Sequence, residues 1–385
     1  MESLVEKPPW KNMEFFKSNR EITEIQYEEF DSNISIELLN KKEEINVFEK
    51  EHKWELAKKL ANPYEMIYTQ EEKFPHPNIS LIKPLSRSYF KLIEILHSVN
   101  FFKDLSKDVQ HLRSVHIAEG PGGFIQAFID IAEQNKKQVK KIYAITLKSD
   151  KQYIPGWKKA SYFLKKYSDI INISYGQDGT GDIYKRENQL HFIGNVTQKV
   201  HLFTADGGFD FSIDYTQQEK QIFQLLLCSF IICFQTLSVN GLCVIKLFDT
   251  YSPSTKTLLS LCGSCFKEYS IYKPATSRPC NSERYFIGKK YKSNKVLPIL
   301  LEIYMNIQKD IYPKMTISDE EAKYIQTISD EFEQKQMECI DLAKNFAEHN
   351  ENNELYKKYY PIHYQMCIKF CEEFKIPMRP QKIMP

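Results

Sequence analysis

The sequence contains no long hydrophobic run. Its longest apolar stretch, around Leu225 to Phe234, is interrupted by Cys228 and Ser229 and is far shorter than the roughly 20 residues with which a helix spans a bilayer. The first residues are charged and lack the apolar core of a signal peptide. These absences predict a soluble protein that stays inside the cell, in the cytoplasm or the nucleus.

The sequence also lacks a strong net charge and a disulfide pattern. Lysine and arginine number 52 against 50 aspartate and glutamate, so nucleic-acid binding would depend on local basic patches rather than on the whole surface. The nine cysteines show no disulfide-like spacing, which is typical of a reducing compartment. Cys262 and Cys265 form a pair without a second pair at zinc spacing, which argues against a structural zinc.

The length and composition allow a sizeable core. A chain of 385 residues with 42% apolar and 13% aromatic residues can form one large domain with additions, or two domains. We predict an N-terminal extension with short helices over 1–53, a main domain over 54–291 and a helical C-terminal appendage over 292–385. Abundant Lys, Ile, Asn and Tyr are typical of AT-rich genomes, such as those of protists or large DNA viruses. A viral protein of this kind would work in the viral factory or the virion.

Strand and helix patterns alternate along the main domain. Apolar runs predict strands at 115–119, 141–147, 170–175, 200–205, 241–247, 269–273 and 284–289. Amphipathic patterns predict helices at 86–96, 123–134, 157–167, 215–237, 253–264 and 354–374, and a capping box at Ser318 begins another. Residues 296–311 predict a connecting strand or helix. Such alternation is typical of a parallel sheet with crossover helices, which binds ligands beyond the carboxyl ends of its strands.

A glycine-rich turn joins the first of these strands to its helix. Its sequence is Glu119-Gly120-Pro121-Gly122-Gly123-Phe124. Glycines let a ligand lie against the backbone, and the helix N-terminus offers free N–H groups to a polar or anionic group. The turn lacks both the dinucleotide-binding and the phosphate-loop patterns. Alone, it predicts only a nucleotide or a nucleotide-like cofactor.

Four other segments carry the remaining candidate residues. These are Lys91 in Ser86–Leu92, Asp206 in Thr204–Phe209, Lys246 in Val244–Asp249 and Glu283 in Thr276–Tyr285. Lys246 is the least ordinary, because it interrupts an apolar strand that should be buried on both faces. The order Lys, Asp, Lys, Glu around a cofactor fold resembles the FtsJ-type ribose 2′-O-methyltransferases, which use S-adenosylmethionine. The resemblance is strongest to the branch that forms cap-1 on the mRNAs of eukaryotes and large DNA viruses.

The resemblance covers roughly residues 54–291 and rests on several motifs in family order. They are Ala-Asn-Pro-Tyr-Glu-Met-Ile at 61–67, Gly-Pro-Gly-Gly-Phe at 120–124, Thr-Leu-Lys at 146–148, Gly-Asp-Ile at 181–183, Ala-Asp-Gly-Gly-Phe at 205–209 and Lys-Pro-x-Thr-Ser-Arg-Pro-x-Asn-Ser-Glu-Arg-Tyr at 273–285. It implies an α/β, Rossmann-like methyltransferase fold with a seven-stranded, mostly parallel sheet whose last strand is antiparallel. It also implies methyl transfer to the 2′-hydroxyl of the first transcribed nucleotide of capped mRNA.

By the same resemblance Lys91, Asp206, Lys246 and Glu283 form a catalytic tetrad that requires no metal. A ribose 2′-hydroxyl is a poor nucleophile, so the enzyme must align it with the methyl group and help its proton to leave. Lys246 is the candidate proton acceptor, which requires a neutral amine. We expect partial burial and the nearby Lys91 ammonium to lower the pKa of Lys246, with Asp206 and Glu283 orienting the lysines.

The resemblance also implies binding residues for cofactor and RNA. The cofactor set comprises the turn Glu119 to Phe124 together with Thr146, Leu147, Asp182, Ile183 and Asp206. The family commonly has an acidic residue three or four positions before the turn, where this chain has His116 and Ile117, so which carboxylate meets the cofactor ammonium stays open. Arg278 and Asn281 match positions beside the acceptor nucleotide, and Lys58 and Arg87 are candidates for phosphate contacts.

The partners implied are the capped 5′ end of mRNA and, through the terminal extensions, other capping or transcription proteins. Two alternatives remain open at this point. One is an FtsJ-type enzyme that acts on ribosomal or transfer RNA. By resemblance, the segments at 62–65 and 276–284 favour the cap branch over it. The other is a non-catalytic RNA-binding scaffold that has kept the fold, against which the intact Lys-Asp-Lys-Glu set argues.

Overall fold

The computed structural model describes residues 8–18, 24–70, 74–106, 108–149, 156–208, 217–349 and 354–380. Phe209 of the Ala-Asp-Gly-Gly-Phe motif and the first residues of the helix predicted over 215–237 lie outside these ranges. Within them, no helix is both long enough and apolar enough to cross a membrane.

Strands and helices alternate through the middle of the chain, as predicted. The strands are β1 (Gln26–Glu28), β2 (His111–Ile117), β3 (Gln138–Ile145), β4 (Ile171–Ser174), β5 (Val200–Ala205), β6 (Leu237–Leu247), β7 (Phe266–Tyr272), β8 (Arg284–Tyr291) and β9 (Tyr312–Lys314). The helices are α1 (Ile36–Lys50), α2 (Trp54–Leu60), α3 (Ser88–Ser98), α4 (Phe101–Asp104), α5 (Gly123–Gln134), α6 (Ser161–Lys166), α7 (Arg186–Asn195), α8 (Gln218–Thr236), α9 (Pro253–Gly263), α10 (Leu297–Ile307), α11 (Asp319–Glu348) and α12 (Glu354–Glu373). Short 3₁₀ turns occur at Pro9–Lys11, Glu65–Ile67 and Lys158–Ala160.

Seven strands form the central sheet in the order β4-β3-β2-β5-β6-β8-β7. Neighbours from β4 to β6 are parallel, and β8 runs antiparallel to both β6 and β7. The α/β fold class and the antiparallel last strand are therefore confirmed. The order reverses between β2 and β5, and such a switch point opens a crevice at the carboxyl ends of the strands.

The strand register fixes which residues meet at that crevice. Ile117 pairs with Ala205, so the glycine turn after β2 and Asp206 after β5 leave the sheet side by side. Lys246 pairs with Tyr285 across β6 and β8. Apolar side chains fill both faces below this edge because crossover helices such as α5 and α8 cover the sheet on both sides.

Described segments before residue 54 and after residue 291 pack on one another and on the chain between them. Strand β1 pairs antiparallel with β9, and α11 packs against both α1 and α2. The prediction of only short helices before residue 54 is wrong, because α1 has 15 residues and begins at a Ser35 cap whose hydroxyl accepts a hydrogen bond from the Leu38 N–H, 3.3 Å away. The segment after β8 contains the helix α10 rather than a strand.

Candidate active site

Two lysine–carboxylate ion pairs lie at the carboxyl edge of the sheet. Lys246 Nζ, from β6, is 3.4 Å from Asp206 Oδ1, directly after β5. Lys91 Nζ, from α3, is 2.5 Å from Glu283 Oε1, directly before β8. The four side chains keep between 10% and 13% of their surface exposed, which leaves them accessible to a ligand. The structure thus brings together all four residues predicted for the tetrad.

Charge coupling joins the two pairs into one cluster. Burial opposes ionisation of Glu283, but the charges of Lys91 and Lys246 outweigh it and hold the pKa of Glu283 well below its ordinary value. Burial likewise favours a neutral Lys246, but Asp206 and Glu283 outweigh it, so the pKa of Lys246 is raised. The expectation of a lowered pKa for Lys246 is therefore wrong for the free protein, because two carboxylates act on this amine more strongly than desolvation does.

Neighbouring side chains hold the two carboxylates in place. The Tyr285 hydroxyl donates to Asp206 Oδ1 at 2.7 Å, and the Ser277 hydroxyl donates to Glu283 Oε1 at 2.9 Å. Gly208 leaves room for the amine, since a Cβ at this position would lie 3.3 Å from Lys246 Nζ. Each functional group of the cluster therefore has a partner that restricts its orientation.

The loop before β8 is fixed by Lys273. Its Nζ amino group donates to the Asn281 carbonyl oxygen at 2.6 Å, to Asn281 Oδ1 at 2.9 Å and to the Glu283 carbonyl oxygen at 2.8 Å. Burial, aided by the charges of Arg284 and Lys91, lowers the pKa of Lys273 to about 7. Lys273 belongs to a motif that carried the family resemblance, but no role had been predicted for it.

Two of the residues predicted for RNA, Arg278 and Arg87, meet at the carboxylate of Glu65. Arg278 donates to both carboxylate oxygens of Glu65, at 2.8 and 3.0 Å, and Arg87 lies 3.5 Å from the same carboxylate. Burial opposes the ionisation of Glu65, yet the two guanidinium groups lower its pKa to about 2. Lys58 is ion-paired to Glu55 on α2 at 2.5 Å.

Arg87 is directed into the protein. Its other N–H groups donate to the Tyr68 carbonyl and, at 3.1 Å, to the Thr276 carbonyl. Arg278 keeps a quarter of its side chain exposed, and Asn281 is exposed near it. Of the four residues predicted for RNA, Arg278 and Asn281 therefore lie beside the tetrad, whereas Arg87 joins the segments around Glu65 and Thr276.

Glu119 lies beneath the glycine turn. Its carboxylate is 2.9 Å from His116 Nδ1 and accepts a hydrogen bond from the Thr204 hydroxyl, and burial raises the pKa of Glu119. Its carbonyl oxygen accepts the Gly122 N–H at 2.6 Å. Since 1% of its side chain is exposed, Glu119 supports the turn from below and presents only backbone to a ligand.

The other predicted cofactor segments line the same edge. Gly181 has φ +72, and a Cβ there would lie 1.9 Å from the Thr146 carbonyl oxygen, so the loops after β3 and β4 touch. Leu147 is 38% exposed, and half-buried Asp182 accepts the Tyr184 N–H at 2.9 Å. Ile183 and Phe124 are buried, and Gly120 and Pro121 are half-buried.

These residues fit a nucleoside cofactor. The Trp157 indole N–H is buried and has no hydrogen-bond partner among the described residues. Its ring borders the turn, since a Cβ on Gly122, at φ +105, would lie 3.4 Å from it. An unsatisfied donor, an exposed Leu147 and a carboxylate at Asp182 together suit a ligand with both apolar and polar parts.

Comparison with known proteins agrees with this geometry. The model of the FtsJ-like methyltransferase family matches residues 84–291, more than half of the 385 residues. The chain belongs to this family.

Two similar proteins share one name. The chain is 31% identical over 254 residues to cap-specific mRNA (nucleoside-2′-O-)-methyltransferase 1 of Mus musculus, a match that covers 61% of this chain and 28% of the relative. The Dictyostelium discoideum protein of the same name is 28% identical over 333 residues, covering 79% of this chain and 40% of the relative. The chain thus spans less than half the length of these relatives.

A further buried carboxyl group supports α3 in this FtsJ-like protein. Glu94 accepts hydrogen bonds from the Tyr272 hydroxyl and, at 2.9 Å, from the Ala275 N–H. Burial raises the pKa of Glu94 to about 8. Glu94 follows Lys91 by almost one helical turn, and its contacts join α3 to the end of β7 and to the loop that follows.

Glu94→Gln is expected to weaken the pH dependence of stability. The folded protein keeps a proton on Glu94 that the unfolded chain releases above about pH 4.3, so the free energy of unfolding falls as pH rises from there to about 8. The variant removes this contribution. A weaker dependence of the free energy of unfolding on pH remains, because burial raises the pKa of Glu219 to about 8 as well. Urea midpoints between pH 5 and 8 test this, with exposed Glu55→Gln as the control. Equal slopes in wild type and Glu94→Gln would refute it.

Proposed function

We propose that this FtsJ-like protein transfers a methyl group from S-adenosylmethionine to the ribose 2′-oxygen of the first transcribed nucleotide of capped mRNA. The observation that carries the proposal is the coupled cluster of Lys246–Asp206 and Lys91–Glu283 beside the glycine turn. The names of the similar mouse and Dictyostelium proteins support the choice of a capped mRNA. Such a substrate is available in the nucleus and in the cytoplasm.

In this mechanism Lys246 acts on the 2′-hydroxyl. When bound, S-adenosylmethionine supplies a methyl group already activated by a positively charged sulfonium. Lys246 is an ammonium in the free protein, so it first holds the ribose oxygen by donating a hydrogen bond. A positive charge beside Lys246 and the exclusion of water both lower its pKa. On substrate binding the ammonium therefore releases one proton to the solvent, and the resulting neutral amine accepts the hydroxyl proton.

The remaining residues orient the reactants. Asp206 directs the Lys246 amine, and Glu283 directs Lys91. We assign the backbone of 120–123 to the methionine part of the cofactor, and Thr146, Leu147, Asp182 and Ile183 to the adenosine part. Arg278 and Asn281 would contact the RNA, with Lys58 farther along its path, while Arg87 acts through Glu65.

The proposed division of the chain follows from these roles. Residues 54–291 contain every residue assigned to the cofactor and the tetrad. Residues 1–53 and 292–385 are additions that pack on this part through α1, α11 and α12. We propose that their outer surfaces are available to other capping or transcription proteins.

Labelled S-adenosylmethionine and matched short RNAs test the proposal. The RNAs carry m7GpppN, GpppN or a plain 5′-triphosphate, and we expect label on the ribose of capped RNA alone. Label on all three RNAs would instead indicate a general RNA methyltransferase. Absence of label on every RNA, together with cofactor binding in calorimetry, would indicate a non-catalytic scaffold.

A further inference from the structure

A buried lysine from the amino-terminal helix contacts the loop that carries Glu283. We propose that Lys42 is a positioning residue for methyl transfer, which makes α1 a working part of the active site. This inference rests on the proposed function. Lys42 lies before the family match, which begins at residue 84, and before the first of the family motifs, at 61–67.

The Lys42 ammonium has two partners behind the tetrad. Its Nζ is 3.2 Å from Asp249 Oδ2 and 3.1 Å from Ser282 Oγ. The side chains of Lys42 and Asp249 are each 3% exposed. Ser282 directly precedes Glu283, so Lys42 holds the loop within one residue of a tetrad carboxylate.

Asp249 connects the same lysine to the strand that carries Lys246. It lies three residues after Lys246, and its Oδ1 is 3.5 Å from Arg284 Nη2. Arg284 directly follows Glu283 and is 1% exposed. The contacts of Lys42 and Asp249 therefore hold both neighbours of Glu283 and the end of β6 together.

Helix α11 closes this buried cluster from the other end of the chain. Ser282 donates to Gln336 Oε1 at 3.3 Å, and the Arg284 guanidinium lies 4.9 Å from the centre of the Phe332 ring. Thr250 and Ser329 share a hydrogen bond of 2.7 Å. Since α1 packs on α11, the two terminal segments together form the wall against which the Glu283 loop rests.

A lysine at this position is not explained by packing alone. The buried residues of α1 are Leu38, Lys42 and Ile45. An apolar residue at position 42 would therefore complete the apolar face of this helix. Burying an ion pair carries a large desolvation penalty for each ion. The ammonium at 42 is instead explained by what it holds, the Asp249 carboxylate and the Ser282 hydroxyl.

Lys42→Met is expected to lower kcat by about 100-fold, the loss that a misplacement of about 1 Å can cause, with little change in the KM for S-adenosylmethionine. Lys41→Met is the matched control, because Lys41 is the neighbouring lysine and forms a more exposed ion pair with Asp341 at 2.6 Å. Lys42→Arg keeps the charge and should restore part of kcat, which a merely space-filling role would not predict.

Hydrogen exchange of the amides at 277–285 in the full chain gives a second readout that needs no turnover. We expect faster exchange in Lys42→Met than in Lys41→Met. If Lys42→Met does not fold, Ser282→Ala removes one partner while Lys42 keeps its ion pair with Asp249, and it should show the same changes at smaller size. Values of kcat and exchange equal to those of Lys41→Met would overturn the inference. An inactive wild type would overturn the proposed function alone, since exchange still decides the role of Lys42.

Discussion

Lys246→Met is expected to lower kcat for methyl transfer by between about 10² and 10⁴-fold, the range attributed to general acid–base groups, while the cofactor affinity stays unchanged. The variant removes the amine that lies 3.4 Å from Asp206 and is the candidate acceptor of the 2′-hydroxyl proton. The cofactor affinity should not change, because Lys246 is not among the residues assigned to the cofactor. Single-turnover rates and calorimetric titration with S-adenosylmethionine measure the two quantities separately.

Two variants control this result. Lys220→Met removes a lysine from the surface of α8, where it forms an ion pair with Asp310 at 2.8 Å, and should behave as wild type. Lys246→Arg keeps the positive charge but cannot accept a proton, because the arginine side chain stays protonated in proteins. It should be as inactive as Lys246→Met if Lys246 is the acceptor. An ordinary kcat in Lys246→Met would refute the mechanism.

Glu283→Gln is expected to move the pH–rate profile of kcat/KM to lower pH. In wild type kcat/KM should rise about tenfold per pH unit through neutral pH, because this ratio reports the free enzyme, in which the pKa of Lys246 is raised. Glu283 is one of the two carboxylates that raise it, so its loss lowers the pKa of Lys246 and shifts the rise to lower pH.

The same variant should also lower the maximal kcat, since Lys91 loses its partner at 2.5 Å and with it a fixed position. The expected loss is about 100-fold. Glu268→Gln is the control, because Glu268 is a carboxylate of β7 paired with Lys289 at 3.4 Å. A rise of kcat/KM at the same pH in Glu283→Gln and wild type would show that Glu283 does not act on the group that titrates.

The sheet could be predicted from the sequence because its signals are local, whereas the tetrad was implied by the family resemblance. Apolar runs of strand length alternate with amphipathic helices, which restricts the topology to a mostly parallel sheet. Lys246 stood out because it interrupts the buried strand β6. The carboxyl ends of β5 and β6 are neighbours in such a sheet, so Asp206 and Lys246 had to meet once the order of the strands was known.

The supporting contacts could not be predicted, because they join residues far apart in the sequence. Glu65 and Arg278 are 213 residues apart, and the strand pair β1–β9 joins residues 26–28 to residues 312–314. The periodicity of α1 was hidden by Lys42, a charged residue at a buried position. The direction of the Lys246 pKa shift depended on the balance between burial and two carboxylates, which the residue types alone do not fix.

Capped RNAs that differ at one ribose test the central claim most directly. One RNA has ribose throughout, a second has 2′-deoxyribose at the first transcribed nucleotide, and a third has it at the second nucleotide. With labelled S-adenosylmethionine, we predict equal label on the first and third RNAs and only background on the second. Label that persists on the RNA without a 2′-hydroxyl at its first nucleotide would contradict the account.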